Sequence, residues 1–190
     1  MNRLPTRYFE SIYASEPDPW GFASRWYETR KYAITLASLP REQYARGFEP
    51  GCANGVLTAL LAPRCARLLA TDVVPACVER ARAHTRLLGN VDVREMAIPD
   101  VWPEERFDLV VLSEVLYYLS PAGLAEVLAR LDASLAPGGH VISVHWTGRT
   151  NYPMTGADVE ARLAAHPRWT RLTRHVDPSF LLSVHERRES

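Results

Sequence analysis

The chain carries no excess charge of either sign. Its 22 basic and 22 acidic residues give a formal net charge of zero. No basic footprint of the kind that binds nucleic acid or an anionic lipid surface is therefore expected. Cysteine is scarce: Cys52, Cys65 and Cys77 are odd in number and lack zinc spacing. They read as reduced core or turn thiols, which predicts a cytoplasmic protein without disulfides. No stretch approaches the roughly 20 apolar residues that span a bilayer, and Met1–Arg7 hold no apolar run like that of a signal peptide. No repeat, low-complexity tract or cluster of metal-ligating residues stands out, so no metal is expected.

What is present is enough apolar sequence, over 190 residues, for one domain with a sizeable core. The stretch from Arg46 to Asp72 organises it. Gly47-Phe48-Glu49-Pro50 leads into Gly51-Cys52-Ala53-Asn54-Gly55; Val56–Leu61 has helical character; Ala66–Thr71 is a short apolar strand that ends at Asp72. Gly51 and Gly55 suit a tight turn where backbone approaches a ligand with no Cβ in the way. The helix behind them offers free N–H groups. A carboxylate one strand later can accept hydrogen bonds from both hydroxyls of a ribose. Strand, turn, helix, strand and acid together make a nucleoside-binding corner.

Glu49-Pro50-Gly51-Cys52-Ala53-Asn54-Gly55 resembles the first motif of class I S-adenosylmethionine (SAM)-dependent methyltransferases: an acid followed by small residues two, four and six positions on. Ala53 replaces the middle glycine. The dinucleotide fingerprint G-x-G-x-x-G does not fit this spacing. The similarity covers nearly the whole chain and is greatest to the NodS-like group, N-methyltransferases that act on a deacetylated amino-sugar end of a chitooligosaccharide. The resemblance implies SAM as the cofactor, held by Glu49, Gly51, Cys52, Ala53, Gly55, Asp72, Val73, Met96, Ala97 and Ser113. Glu49 would meet the methionyl amino group. Members of the superfamily often carry an aspartate near the end of the third strand, touching adenine; here Met96-Ala97-Ile98 stands there, so backbone groups would read the adenine edge.

Eight of the aromatic residues fall within the first 32 positions. Tyr8–Tyr13 reads as a short helix, Glu16–Trp20 as a proline-fixed turn, and Ser24–Leu39 as a helix closed by Pro40. Most of these rings are expected to pack on the core. The resemblance makes residues 1–45 a helical lid over the cofactor, ahead of a core at 46–190. There Trp20 and Tyr27 would flank the cofactor or sugar, and Arg30 would bind the cofactor carboxylate as a fork.

Downstream, Pro75–Leu88 predicts a helix and Val91–Met96 a strand. Phe107–Ser113 is a near-continuous apolar strand of the kind found inside a parallel sheet. Glu114 follows at its carboxyl end, where open α/β sheets bind ligands; a carboxylate there could hold an ammonium or take its proton. Tyr117 and Tyr118 are candidate pocket walls. Pro121–Leu135 is an amphipathic helix, Ala136–His140 a tight turn, and Val141–Trp146 a fifth strand. It brings His145, a candidate base, and Trp146, a candidate wall, to the same edge. Thr147–Tyr152 would form a second wall. A helix from Thr155 to His166 and two strands, Trp169–Val176 and Phe180–Glu186, complete the chain.

The expected fold is a Rossmann-like, doubly wound, seven-stranded and mostly parallel sheet, order 3-2-1-4-5-7-6, with the last strand antiparallel. The expected activity is methyl transfer from SAM to a small acceptor, the amine of a sugar first of all, by a monomer or weak dimer. An O-methyltransferase, for which His145 is the obvious base, and a SAM-binding module without catalysis are the alternatives.

Overall fold

The computed structural model describes residues 2–189. In chain order the elements are α1 (Thr6–Ser15), α2 (Trp26–Ala37), β1 (Tyr44–Pro50), α3 (Val56–Leu61), β2 (Cys65–Asp72), α4 (Pro75–Thr85), β3 (Val91–Glu95), β4 (Phe107–Ser113), α5 (Pro121–Ser134), β5 (Leu135–Trp146), α6 (Gly156–Ala164), β6 (Trp169–Val176) and β7 (Phe180–Arg187). The strands form one sheet in the order β3-β2-β1-β4-β5-β7-β6. β7 runs antiparallel to both its neighbours. This is the predicted order and the class I methyltransferase fold.

The chain divides into two compact units, one of residues 5–97 and one of residues 2–4 with 98–189. In the first, β1, β2 and β3 pair in parallel. Phe48, Leu68, Leu69, Ala70 and Val93 are buried from both sides, as parallel strands covered by helices require. Val74 precedes Pro75, which opens α4 at the position where a missing N–H costs nothing. α4 stops at Thr85, three residues before the expected end, where the Thr85 hydroxyl bonds back to the Ala81 carbonyl and the Leu88 N–H to the Thr85 carbonyl.

In the second unit the apolar run of β4 lies fully inside, with Leu109 to Leu112 inaccessible to solvent. Ser120 caps α5 by accepting the Gly123 N–H, Pro121 is its first residue, and Leu124, Val127 and Leu131 form its buried face. Thr155 and Asp158 close a reciprocal capping box on α6. The start of β5 also differs from expectation. Ala136–His140, predicted as a turn ahead of the strand, lies inside β5. Phe107 pairs with Leu135 and Leu109 with His140, so the extra residues bulge out of the ladder and pairing resumes beyond them. Gly138 takes a left-handed backbone at the bulge.

Candidate functional site

The Gly51–Gly55 turn is built by its backbone. The Gly51 and Cys52 N–H groups both donate to the Thr71 carbonyl, at 2.6 and 2.9 Å. Gly51, Ala53 and Gly55 have φ of 78°, 49° and 79°. For Ala53 this is a strained conformation, and such outliers gather at functional sites. The Ala53 N–H donates to Asp72 Oδ2 and the Val74 N–H to Asp72 Oδ1, both at 2.9 Å. The carboxylate thus ties the glycine turn to the start of α4. Burial raises the Asp72 pKa, and the backbone donors of Val74, Ala53 and Val73 hold it back. Three backbone donors still leave the carboxylate lone-pair capacity for a hydroxyl donor. Gly55 has a different reason to be glycine: a Cβ there would meet the Ala81 Cα at 2.8 Å, so it lets α3 approach α4. The Cys52 side chain is buried with Ala70, Val78, Ala81 and Val93, and its thiol pKa is raised by burial.

Glu49 is 2% exposed and its Oε2 has no hydrogen-bond partner. Desolvation pushes its pKa up to about 8, with the Asp72 charge adding to the shift and the nearby Thr58 hydroxyl easing it. A buried carboxyl in this condition suits a cationic donor. The fit to SAM rests on this orphaned oxygen and on the Asp72 cradle. Trp20 packs edge-on to Tyr13 and face-on to Phe22. Together with Ala53 and Val73 it lies against the buried cluster of Tyr13, Val74 and Cys77, so the N-terminal segment does reach the turn. The Met96 N–H donates to the Asp72 carbonyl at 2.9 Å, and Met96 and Ala97 are half-buried. On α2, Arg30 is half-buried, whereas Lys31 is fully buried, 2.9 Å from buried Glu28 and 4.9 Å from the Tyr27 ring centre. The sequence reading did not single out this ion pair, since charges at a three-residue spacing on a helix are ordinarily solvated.

The other cluster lies in the second unit, where β4 and β5 end. Ser113 pairs with Val144, which puts Ser113 in this unit and not in the one that holds Gly51. Glu114 has φ 58°, a left-handed backbone at a non-glycine residue. Its N–H bonds the Val144 carbonyl at 2.8 Å. Its carboxylate Oε2 accepts the Trp146 N–H at 3.0 Å and the Tyr117 hydroxyl at short range. Burial, the Glu114 charge and Tyr118 all raise the Tyr117 pKa, which keeps the phenol a donor. Tyr117 contacts Tyr118 edge-on with ring centres 4.6 Å apart, and stacks on Tyr152 at 5.1 Å. Tyr152 falls in the wall expected at Thr147–Tyr152, but no residue pattern distinguished it there. His145 is 2% exposed. Its Nε2 accepts the Leu116 N–H at 3.2 Å, so its Nδ1 carries the proton and donates to Ser143 Oγ at 3.0 Å. A strap at the N-terminus braces the cluster: the Leu4 N–H donates to the Tyr118 carbonyl and the Ser120 N–H to the Asn2 carbonyl, each at 2.9 Å.

A further buried serine, histidine and acid meet on β7 and α6. Ser183 Oγ donates to Glu160 Oε2 at 2.5 Å, and His185 Nε2 lies 3.0 Å from Ser183 Oγ. The hydroxyl sits between imidazole and acid, which is not the order of a nucleophilic triad. Among the described residues no group of three or more His, Cys, Asp or Glu is placed to hold a metal ion, and no helix is long and apolar enough to cross a membrane.

The family model of nodulation protein S (NodS) matches residues 12–143. The chain belongs to the NodS family. Nodulation protein S of Rhizobium tropici is 37% identical over 127 residues, covering 66% of this chain and 53% of that protein. Nodulation protein S of Bradyrhizobium diazoefficiens is 39% identical over 122 residues, covering 63% and 58%. The chain thus spans just over half the length of these NodS relatives. The crystal structure of N-methyltransferase NodS from Bradyrhizobium japonicum WM9 in complex with S-adenosyl-L-homocysteine (SAH) superposes with a TM-score of 0.87 at 28% identity, over 97% of this chain and 98% of that one.

Proposed function

We propose that this chain is a SAM-dependent N-methyltransferase whose acceptor is the amine of a small molecule, an amino sugar first of all. The observation that carries the reading is Glu114: a carboxylate on a left-handed backbone, fixed by a backbone N–H and a phenol. The SAH complex of the NodS relative supports the cofactor. SAM, when bound, supplies an electrophilic methyl and its own leaving group. Asp72 would take the ribose hydroxyls, Glu49 the methionyl ammonium, and the backbone of Met96 and Ala97 the adenine edge. Arg30 on α2 would take the carboxylate, beside the Lys31–Glu28 ion pair.

An amine is protonated near neutral pH and has no lone pair to offer. Glu114 draws the ammonium in, takes one proton and leaves the nitrogen free to attack. The two hydrogen bonds to Oε2 fix the carboxylate before the acceptor arrives. Tyr117, Tyr118 and Tyr152 set π-faces beside it, which suits a cationic acceptor. A hydroxyl acceptor would need a stronger base. His145 is the obvious one, but both its nitrogens are committed, to Leu116 and Ser143; it positions the Leu116–Tyr118 turn. The strained Glu114 backbone also favours an enzyme over a passive SAM-binding module.

The test is SAH formation by the purified protein with chitooligosaccharides ending in a free amine, their fully acetylated counterparts, aliphatic amines and simple alcohols. Turnover confined to free amines is expected. Turnover with alcohols or acetylated sugars, or SAH binding without turnover on any acceptor, overturns the reading.

A further inference from the structure

The start of α5 is capped by a segment from more than a hundred residues away. Ser120 Oγ accepts the Gly123 N–H at 3.1 Å, which is half of a capping box. In the other half an acid or amide three residues after the cap accepts the N–H of the capping residue, as Asp158 does for Thr155 on α6. Gly123 has no side chain to do this. The Ser120 N–H donates instead to the Asn2 carbonyl at 2.9 Å. That oxygen stands where the missing side chain would begin, since a Cβ at Gly123 would lie 2.0 Å from it. Glycine inside a helix costs stability relative to alanine. Gly123 is helical, so its backbone does not call for glycine; the room it leaves for Asn2 does.

From Asn2 the strap runs on along the residues before α5. Arg3 forms an antiparallel bridge with Leu119, and the Leu4 N–H reaches the Tyr118 carbonyl. Residues 2–4 belong to the same compact unit as Glu114. The turn they touch, Leu116–Tyr118, is a single 3₁₀ turn, and three of its backbone groups bond outside it. The Leu116 N–H donates to His145 Nε2, the Tyr117 carbonyl accepts the Met154 N–H at 3.3 Å, and the Tyr118 carbonyl accepts the Leu4 N–H at 2.9 Å. The Tyr117 hydroxyl in turn bonds Glu114. We infer that Asn2–Leu4 is a positioning element for the acceptor site: its backbone completes the α5 cap and holds the turn that sets the Tyr117 phenol on Glu114, and Gly123 is glycine to admit it. The inference rests on the reading of Glu114 as the acceptor's carboxylate. It adds two residues, Leu4 and Gly123, that touch neither acceptor nor cofactor and act through Tyr117.

Two substitutions in the full chain detach the strap by different means. Gly123→Gln fills the space of the Asn2 carbonyl and supplies the side chain that closes the capping box within α5. It should therefore keep or raise Tm while expelling the strap. Leu4→Pro leaves Gly123 alone and removes the N–H that holds the Tyr118 carbonyl. The conservative Leu4→Ile keeps that N–H and should keep kcat. For amine methylation, kcat should fall about fivefold in Gly123→Gln and in Leu4→Pro, the scale of one net hydrogen bond, with SAH affinity unchanged. Burial first of all raises the pKa of Tyr117 and of Tyr118. Both detached variants should therefore ionise more tyrosine at mildly alkaline pH in an ultraviolet titration. An unchanged kcat in both variants overturns the inference. So does a loss of kcat that only follows a loss of Tm and SAH affinity, which would make the strap merely structural. Wild type that methylates no amine would instead remove the reading of Glu114. The tyrosine titration then decides the strap, and an unchanged titration in Leu4→Pro would overturn it.

Discussion

Asp72 and Glu114 are both acids at the carboxyl ends of strands, but they are held by opposite means. Asp72 is gripped by backbone alone: the Ala53 and Val74 N–H groups reach its two oxygens. Glu114 depends on a left-handed residue, on a neighbouring strand that delivers the Trp146 N–H, and on a phenol three residues on. A backbone cradle serves a ligand that is the same for every member of a family. A side-chain cradle can be altered one residue at a time to suit different acceptors. Under the proposed function the first region would bind the cofactor and the second would handle the proton, and mutations should separate them.

The largest expected effect is on Glu114→Gln, which keeps size and hydrogen-bond reach but cannot accept a proton. Its kcat should fall by about 10²–10⁴-fold, the range for loss of a general base. Next comes Asp72→Ala, which removes an ionised partner of two hydroxyls. SAH affinity should weaken by about 1–3 kcal/mol, read by calorimetry. Gly55→Ala tests the scaffold: the added methyl meets Ala81 and the backbone is left-handed. Stability should drop by about 1–3 kcal/mol, seen as a lower Tm.

The smallest and most specific effect concerns Glu49. Burial pushes its pKa in the folded protein up to about 8, above the ordinary 4.5 of a glutamate. Between these values the native state retains a proton that the unfolded chain has lost. Its contribution to stability is therefore present below the lower value and lost as pH rises towards the higher one. Glu49→Gln should flatten that part of the dependence of Tm on pH. SAH affinity should run the other way in the wild type, rising over the same window as the carboxyl ionises to meet an ammonium. The glutamine variant should lose that rise.

How legible each region was follows from the same contrast. The Glu49–Gly55 turn and Asp72 lie within one βαβ unit, so short-range spacing revealed them, and the sheet order came with the family pattern. Spacing did not reveal that Gly55 serves α3–α4 packing or that the Cys52 side chain points into the core, because α4 supplies those contacts from more than twenty residues away. In the second region the sequence pointed to Glu114, Tyr117, Tyr118, His145 and Trp146 by position at strand ends. It could not show that the His145 nitrogens are committed to Leu116 and Ser143, which depends on the register of β4 against β5. Tyr152 and the Asn2–Leu4 strap make tertiary contacts with no local signature. The stretch Ala136–His140 read as a turn because a long bulge and a loop have the same residues.

One calorimetric comparison bears most directly on the division between the two regions: SAH titrated into wild type, Asp72→Ala and Glu114→Gln. The account predicts saturable one-to-one binding to wild type, about 5- to 150-fold weaker binding to Asp72→Ala, and near wild-type affinity for Glu114→Gln despite its lost turnover. No binding to wild type, or equal binding to wild type and Asp72→Ala, would contradict it.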